Sequence, residues 1–202
     1  GGTDSFAKHV KLVDGAKVYL GTGGDLELFH DGNNGYIKDV GTGILSITSD
    51  GTGIDINKGT SEYMGRFIID GAVELYHNNV KTFETTANGI TVTGTAVATT
   101  DTDTTNTGSV TLDFAAKQNF VLTLTGNVTL ANPTTEQVGQ SGFIAFIQDG
   151  TGSRTVALGT DYETPAAAGL TLTSTAGATD LVPYLVVASN RILLGTPQLA
   201  FA

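Results

Sequence analysis

The chain has 202 residues, of which 27 are glycine and none is tryptophan or cysteine; this length suffices for one or two domains, and the lack of cysteine excludes disulfides and thiolate metal sites. Ten basic against twenty acidic residues give a formal net charge of −10, which repels nucleic acid and anionic membrane surfaces, so we expect no nucleic-acid partner. No apolar run approaches the roughly 20 residues that cross a bilayer, and we expect no membrane insertion.

The first predicted region, residues 1–94, is a series of short strands separated by glycine turns. Apolar and polar residues alternate with period two in most stretches, for example at Ile54, Asp55 and Ile56, which is typical of strands buried on one side only. The Asp-Gly, Asn-Gly and Gly-Thr-Gly sequences between them suit tight turns with positive φ. The region is therefore predicted to be all-β. The strand-like stretches are AKVYLG, DLELFH, GYIKDV, GILSIT, GIDIN, GAVELYH and NGITVTG.

One pattern occurs twice in this region. DLELFHDGN at 25–33 reappears as AVELYHNNV at 72–80, and two of the three histidines occupy the same position in it. Alternation along a strand assigns the apolar residues and the histidines of both copies to one face, and it assigns Glu27 and Glu74 to the other. We predict that the first face forms the interior of a repeated shaft. The predicted interior residues are Leu26, Leu28, His30, Val73, Leu75 and His77.

A single copy of such a shaft has too few inward apolar side chains to offset the entropy that is lost when its backbone is ordered. Identical chains that share one interior and pair their exposed strand edges remove this shortfall, and a trimer is the simplest such assembly. His30 and His77 then form a layer in which imidazoles and nearby Asn or Asp groups exchange hydrogen bonds. A threefold set of imidazoles that binds a metal ion is the alternative, because imidazole is a common metal ligand. The favoured structural reading requires no metal and no cofactor.

After Gly94 the sequence changes character twice. Residues 95–108 form a tract of Thr, Asp and Ala with almost nothing to bury, which predicts a linker. Residues 109–202 contain longer and more apolar stretches, such as SGFIAFIQDG and LVPYLVVAS, which are typical of strands buried on both faces. We therefore predict a carboxy-terminal, β-sandwich-like head domain with its own core, which follows the trimeric shaft and the linker.

Signals of chemistry are weak along the whole sequence. Asp25, Glu27 and Asp31 are close enough in sequence to suggest the carboxylates of a glycosidase, but no cleft with facing carboxyls is evident, and alternation makes Glu27 a solvated charge. The glycine-rich stretches lack the lysine, the helix or the several oxygen ligands that phosphate and calcium loops need, and we interpret them as turns. We therefore expect no catalytic residues and no enzymatic activity.

Tyr162 is the candidate for a receptor contact. It lies in the loop-like stretch GTDYETPAAAG of the predicted head. Loops carry binding residues more readily than a repetitive shaft does, and an aromatic ring can stack on a sugar. The aromatic residues Phe29 and Tyr76 recur with the repeated pattern, which favours shared packing over a unique site at those positions.

Three long segments carry a family resemblance. They are GDLELFHDGNNGYIKDVGTGILSI, VELYHNNVKTFETTANGITVTG and QNFVLTLTGNVTLANPTTEQVGQSGFIAFIQDGTGSRTVALG. These segments resemble parts of the tail fibres and related virion fibre proteins of tailed bacteriophages, notably phages of cyanobacteria and other marine bacteria. The resemblance covers most of the chain. It implies a trimeric, β-rich rod that ends in a globular head and that decorates the virion or attaches it to a host.

The predicted function is that of a structural fibre protein of the virion, a tail fibre or short fibre that adheres to the host surface through a trimeric head. Its expected partners are two further copies of itself, other virion proteins of the tail, baseplate or capsid, and a glycan or protein of the host surface. A large amino-terminal docking domain is not recognisable, which leaves a capsid decoration or cement protein, or a capsid-attached fibre, as the alternative. A tailspike that degrades polysaccharide is a less favoured alternative.

Overall fold

The structure is a computed structural model that describes residues 10–201. Residues 1–9 of the predicted region 1–94 lie outside this range. So does residue 202, the last residue of the predicted region 109–202. The chain divides into two compact units at the junction of Gly94 and Thr95. Both units consist of β-strands and turns, with a short 3₁₀ turn at Pro165–Ala167 in the second unit. The prediction of an all-β protein is confirmed.

The first unit begins with a three-stranded antiparallel meander of β1 (Lys17–Leu20), β2 (Leu26–His30) and β3 (Gly35–Asp39). Asp31 closes the turn between β2 and β3, because its Oδ1 accepts hydrogen bonds from the backbone N–H groups of Asn33 and Asn34 at 2.8 Å each. A turn of this kind reverses the chain while its backbone donors stay paired.

A five-stranded antiparallel meander completes the first unit. Its strands in spatial and sequence order are β4 (Gly53–Lys58), β5 (Glu62–Ile68), β6 (Val73–His77), β7 (Val80–Thr86) and β8 (Gly89–Val92). Asn78 and Asn79, between β6 and β7, have φ of 54° and 63°. Two successive positive φ values are what a two-residue hairpin loop requires, and asparagine tolerates them better than most residues. The second copy of the repeated pattern is therefore a strand that ends in a tight hairpin.

The described part of the second unit contains eight strands that hydrogen-bond into one sheet. They are β9 (Thr100–Thr111), β10 (Asn119–Ala131), β11 (Ser141–Gln148), β12 (Val156–Leu158), β13 (Tyr162–Glu163), β14 (Thr179–Ala188), β15 (Arg191–Leu194) and β16 (Gln198–Phe201). Their order in the sheet is β12-β10-β11-β14-β15-β13, while β9 pairs with β10 and β16 pairs with β14. The pairs of β10 with β9, β11 and β12 are parallel, and those of β14 with β11, β15 and β16 are antiparallel.

Alternate residues of the central strands point into one hydrophobic core. Phe120, Ile144 and Val182 on β10, β11 and β14 are each 0% exposed. Phe114 packs edge-on against Phe120 and Tyr184, with ring centroids 5.1 and 5.2 Å apart, a favoured geometry for aromatic pairs. Burial raises the pKa of Tyr184 to about 12. The core of the described chain therefore belongs to the second unit.

The prediction that these strands are buried on both faces is wrong for a single copy. The residues between the core positions point away from the core, and Phe143 and Leu185 are 46% and 42% exposed. Within the second unit as described, to residue 201, the outer sides of these two side chains are left partly open. Alternating burial thus replaces the continuous burial that the apolar sequence suggested.

The prediction of a linker over 95–108 is also wrong. Residues from Thr100 to Thr111 form β9, which lies parallel to β10 along almost its whole length. Asn106 anchors the strand, since its Nδ2 donates hydrogen bonds to the carbonyl oxygens of Asp103 and Thr123 at 3.0 and 3.1 Å. A strand at the side of a sheet can be held by backbone hydrogen bonds, and threonine favours extended backbone, so a polar tract needs few apolar residues to join the sheet.

Candidate functional surfaces

The repeated pattern buries a glutamate in each sheet of the first unit. Glu27 and Glu74 are both 8% exposed. Lys17 Nζ lies 2.8 Å from Glu27 Oε2, whereas Glu74 accepts hydrogen bonds from Tyr76 Oη at 2.6 Å and from Lys81 Nζ at 3.1 Å. The prediction of a solvated Glu27 is therefore wrong. A cation from a neighbouring strand pairs with the carboxylate, which offsets the cost of removing its charge from water.

The hydrogen bonds of these glutamates change the acidity of the groups around them. The bonds from Tyr76 and Lys81 hold the pKa of Glu74 below its ordinary value. The bond to Glu27 raises the pKa of Lys17. Both effects stabilise the charged forms of Glu74 and Lys17.

Aromatic pairs lie beside both glutamates. Phe29 stacks on Tyr36 with centroids 4.6 Å apart, and Tyr76 packs against Tyr63 at 5.5 Å. Lys17 Nζ lies 4.7 Å from the centroid of the Phe29 ring, in the range of a cation–π contact. The two sheets thus repeat one arrangement of a glutamate, a cation and two rings, and the aromatic residues of the pattern serve packing.

The opposite face of the five-stranded sheet is apolar and open. The strand register aligns Ile56, Gly65, Leu75, Phe83 and Val92 in one row across β4 to β8. Of these, Ile56 is 51%, Leu75 46% and Val92 43% exposed. No residue of this row is charged. We call this surface, together with the parallel row that contains Phe67 and Ile90, the shaft face.

The three-stranded sheet has an equivalent apolar row. Val18, Leu28 and Ile37 lie side by side across β1, β2 and β3, and Val18 and Ile37 are 38% and 65% exposed. Leu26 and Leu28 are half-buried. Among the predicted interior residues of the other copy, Val73 is half-buried and Leu75 is open on the shaft face. Their own polypeptide therefore leaves these predicted interior residues incompletely covered.

His30 and His77 end equivalent strands of the two sheets, and both are exposed. His30 Nδ1 lies 3.0 Å from Asp14 Oδ1 and 3.1 Å from the backbone nitrogen of Gly32. His77 is paired in register with Val80 at the hairpin end. The hydrogen-bonded layer of histidines between copies stays a prediction. Across residues 10–201, no cluster of three or more His, Cys, Asp or Glu side chains is arranged to hold a metal ion.

Tyr162 lies in the core of the second unit rather than in an open loop. It forms β13, pairs with Ile192 of β15, and is 5% exposed. Its hydroxyl is buried and has no hydrogen-bond partner among residues 10–201. Burial, together with the nearby charges of Glu136 and Asp161, raises its pKa. The premise that Tyr162 stands in an open loop is therefore wrong, although this residue is among those that line a depression beside the following loop. The receptor contact itself stays a prediction.

The loop that follows Tyr162 is the more accessible feature of this region. Ala166 and Ala167 have φ of 55° and 54°, a left-handed conformation that non-glycine residues adopt at a cost. Two shallow depressions meet at this loop, one lined by Thr164, Pro165 and Thr196 and the other by Thr164, Glu163 and Leu158. The sequence signal for it is the Pro and Gly that bracket three alanines in TPAAAG.

The carboxylate at these depressions, that of Glu163, is already paired. Arg191 donates two hydrogen bonds to the Glu163 carboxylate, at 2.8 and 3.0 Å. These hydrogen bonds lower the pKa of Glu163. A carboxylate held ionised in this way is a poor proton donor. The loop surface is suited to contact through hydroxyls and small apolar groups.

Within the described range, no helix is long and apolar enough to cross a membrane.

Comparison with known proteins finds a family model that matches part of the second unit. Residues 105–188, from within β9 to the end of β14, match the model of a family described as "Putative phage tail fibre C-terminal domain". Over these residues the second unit is therefore similar to a domain of phage tail fibres. The resemblance to phage tail fibre proteins that the sequence carries is confirmed by this match. No curated protein and no solved structure matches the chain.

Proposed function

We propose that the chain is a structural fibre protein of the phage virion, which assembles as a homotrimer and adheres to the host surface. The first unit supplies a shaft and the second unit supplies the head. The match of residues 105–188 to a tail fibre domain supports the assignment to a fibre and favours the tail over the capsid-decoration alternative. Adhesion by three heads held close together gains strength from avidity, even where each contact is weak.

The single observation that carries the trimer is the open shaft face. Soluble monomers rarely leave a contiguous apolar face of this kind in water, and such faces mark contacts with other proteins. Two copies can bring their shaft faces together without burying an unpaired charge, because charged groups such as Asp55, Arg66 and Glu84 lie on the opposite face of the sheet. The outer strands β4 and β8 also carry unpaired edges that sister strands can occupy.

The proposed activity is binding without cleavage. Glu27, Glu74 and Glu163 each face a cation at hydrogen-bond distance, which suits a structural charge better than a general acid. The open loop at Ala166 and Ala167 is on the proposed head and is the surface we assign to host contact.

The mass of the native protein tests the assembly. We expect light scattering to give three times the chain mass of 20.8 kDa for the wild type. Leu75→Asp puts a charge into the shaft face and is expected to shift the protein to 20.8 kDa. Val138→Asp adds the same charge at a side chain that is 66% exposed outside the strands, and it is expected to leave the trimer intact. A wild type of single-chain mass contradicts the trimer.

Imaging and competition test the role. Gold-labelled antibody against the chain is expected to mark the tails of intact particles, and label spread over the icosahedral shell contradicts the tail assignment. Purified wild-type protein is expected to slow adsorption of the phage to its host, whereas equal amounts of Leu75→Asp, which lacks avidity, are expected to compete at least about tenfold less well. Equal competition by both proteins contradicts adhesion through a trimer.

A further inference from the structure

Two asparagines of the first unit are followed directly by glycine. They are Asn34, which precedes Gly35, and Asn88, which precedes Gly89. Asparagine is a chemically labile residue, because the backbone nitrogen of the next residue can attack its side-chain amide. Glycine hinders this attack least, since it has no Cβ. Both asparagines are exposed in turns between strands, so exposure alone does not distinguish them.

The register of β2 and β3 leaves the backbone nitrogen of Gly35 unpaired across the hairpin. Asp31 donates its backbone N–H to the carbonyl oxygen of Asn34 at 3.1 Å, so residues 31 and 34 form a hydrogen-bonded pair. Such pairs alternate with non-hydrogen-bonded pairs along an antiparallel ladder. The next pair, His30 with Gly35, is therefore non-hydrogen-bonded, and the Gly35 N–H points away from β2. On that side β3 has no neighbouring strand within residues 10–201.

The register of β7 and β8 gives Gly89 the opposite role. Thr93 donates its backbone N–H to the carbonyl oxygen of Thr82 at 2.9 Å, so these residues form a hydrogen-bonded pair. The register continues without a shift to the pair of Thr86 with Gly89, an even number of pairs further on, which is therefore hydrogen-bonded too. The nitrogen of Gly89 is thus engaged across the hairpin and must first break this bond before it can attack a neighbouring group.

The two glycines do not differ in the space around them. A Cβ placed on either residue would meet no other atom within 4 Å. The backbone N–H of Asn34 donates to Asp31 Oδ1 at 2.8 Å, which holds the turn in place and leaves the Asn34 side chain at the surface. The hydrogen bonding of the glycine nitrogen, and not crowding, is therefore the difference between the two sites.

We propose that Asn34 is a site of spontaneous deamidation and that Asn88 is protected from this reaction in the folded protein. The nitrogen of Gly35 attacks Cγ of Asn34, so that the N–Cγ bond forms and the Cγ–Nδ2 bond breaks. Ammonia leaves with the proton of the glycine nitrogen, and a succinimide ring remains. Water then opens the ring: attack at Cγ gives aspartate, and attack at the main-chain carbonyl carbon gives isoaspartate. The reaction needs a single chain, so it does not depend on the proposed fibre function.

The product has a negative charge for which the turn has no partner. Asp31 already accepts the Tyr36 hydroxyl at 2.8 Å and the backbone N–H of Asn34. A second carboxylate at position 34 lies in the same turn as that of Asp31, and like charges repel. Isoaspartate also adds a carbon atom to the backbone between β2 and β3, where loop length sets the register of the hairpin. Deamidation therefore weakens this turn irreversibly as the protein ages.

Peptide mapping by mass spectrometry tests the proposal. Trypsin places the two asparagines in different peptides, residues 18–38 and 82–117. The folded full-length protein is stored in neutral buffer made with water enriched in heavy oxygen, so that a conversion during storage is distinguished from one during digestion. We expect peptide 18–38 to convert at least about tenfold faster than peptide 82–117, because the Gly35 nitrogen is free. In denaturant, where both hairpins are lost, we expect similar rates.

Two variants serve as controls. Asn34→Gln is expected to abolish the conversion of peptide 18–38 and to leave that of Asn88 unchanged. Gly35→Val has room for its side chain and is expected to slow conversion at Asn34 at least about tenfold, because a branched side chain hinders the attacking nitrogen. Fragment ions assign the change to Asn34 or to its neighbour Asn33. Equal rates at Asn34 and Asn88 in the folded protein, faster conversion at Asn33 or Asn88, or conversion of Asn34 in denaturant alone overturns the proposal.

Discussion

Tyr76 donates its hydroxyl hydrogen to Glu74 Oε2 at 2.6 Å, two positions back along the same strand. Residues two apart share a face of the sheet, so the ring and the carboxylate meet without any distortion of the strand. Lys81 and Arg66 approach the same carboxylate, at 3.1 Å and 3.8 Å, from the two neighbouring strands. One glutamate therefore ties three strands of the five-stranded sheet together.

Removal of the Tyr76 hydroxyl is expected to weaken this sheet. Tyr76→Phe keeps the ring and deletes a hydrogen bond to a charged acceptor, so we expect the free energy of unfolding to fall by about 1–2 kcal/mol. Glu74→Ala is expected to cost more, because it also leaves Lys81 and Arg66 without their carboxylate. Urea unfolding followed by circular dichroism measures both. Tyr19→Phe, at a tyrosine that is 58% exposed, is the control and should change stability by less than about 0.5 kcal/mol. A loss for Tyr19→Phe equal to that for Tyr76→Phe contradicts the assignment.

Two aspartates make the protein sensitive to acid. The backbone N–H groups of Asn34 and Asn33, with the Tyr36 hydroxyl, hold the pKa of Asp31 at about 2. Arg154, followed by the turn N–H groups, holds the pKa of Asp149 at about 2. Both lie below the ordinary value of 3.8. A lowered pKa in the folded state means that the unfolded chain binds the proton more tightly, so the stabilisation is complete above the ordinary value and is lost as the pH falls from there through about 2.

The melting temperature is therefore expected to fall between about pH 4 and pH 2. Asp149→Asn removes one of the titrating groups, so its melting temperature is expected to depend less steeply on pH in that window. Arg154→Gln removes the first cause of the shift and is expected to raise the pKa of Asp149, which carboxyl carbon NMR measures directly. A slope for Asp149→Asn as steep as that of the wild type speaks against this role for Asp149.

Local alternation predicted which residues share a face, and it did not predict which faces are covered. Leu75 and Glu74 lie on opposite faces as expected, because the pleat fixes this for any strand. The burial of Glu74 depends on Lys81, which the hairpin at Asn78 and Asn79 brings alongside. The sequence contains the hairpin signal, but the pairing of a particular lysine with a particular glutamate depends on the register of the two strands. A shift of the register by one residue moves every side chain of a strand to the opposite face.

In the second unit, too, local sequence patterns did not predict contacts between residues that are distant in the sequence. The threonine tract that became β9 has a composition typical of a linker, and its place in the sheet is set by β10, whose apolar residues build the core. Tyr162 follows a glycine turn and precedes a proline, so its surroundings in sequence are those of a loop. Its burial follows from its pairing with Ile192, a contact between strands distant in sequence, which no local pattern reports.

Asp180 is expected to be the most sensitive carboxylate of the second unit. It is 2% exposed and accepts hydrogen bonds from the backbone N–H of Thr173 at 2.5 Å, from the Thr173 hydroxyl at 2.8 Å and from the backbone N–H of Ala200 at 2.8 Å. Asp180→Ala leaves two backbone donors unpaired, so we expect a loss of about 2–4 kcal/mol in the free energy of unfolding. Asp180→Asn keeps one carbonyl oxygen and is expected to lose about half as much.

Hydrogen exchange localises this effect. Ala200 lies in β16, which pairs with β14 and ends the described chain, so the amide of Ala200 is expected to exchange at least about tenfold faster in Asp180→Ala. The amide of Ile144, in the core strand β11, serves as the internal reference and should change only with global stability. Equal acceleration at both amides indicates a general loss of stability and contradicts a specific anchor for β16.

Ala166 offers a case in which a glycine should stabilise the protein. Its φ of 55° and ψ of 23° lie in the left-handed region, where alanine is disfavoured by roughly 1–2 kcal/mol. Glycine removes that cost but loses more entropy on folding, by about 0.5–1 kcal/mol. We therefore expect Ala166→Gly to raise the free energy of unfolding by up to about 1 kcal/mol. Ala168, two residues on, has an ordinary φ of −73°, so Ala168→Gly is expected to lower it by about 0.5–1 kcal/mol. Urea unfolding of the two variants side by side decides the matter, since the same sign for both contradicts a left-handed residue at position 166.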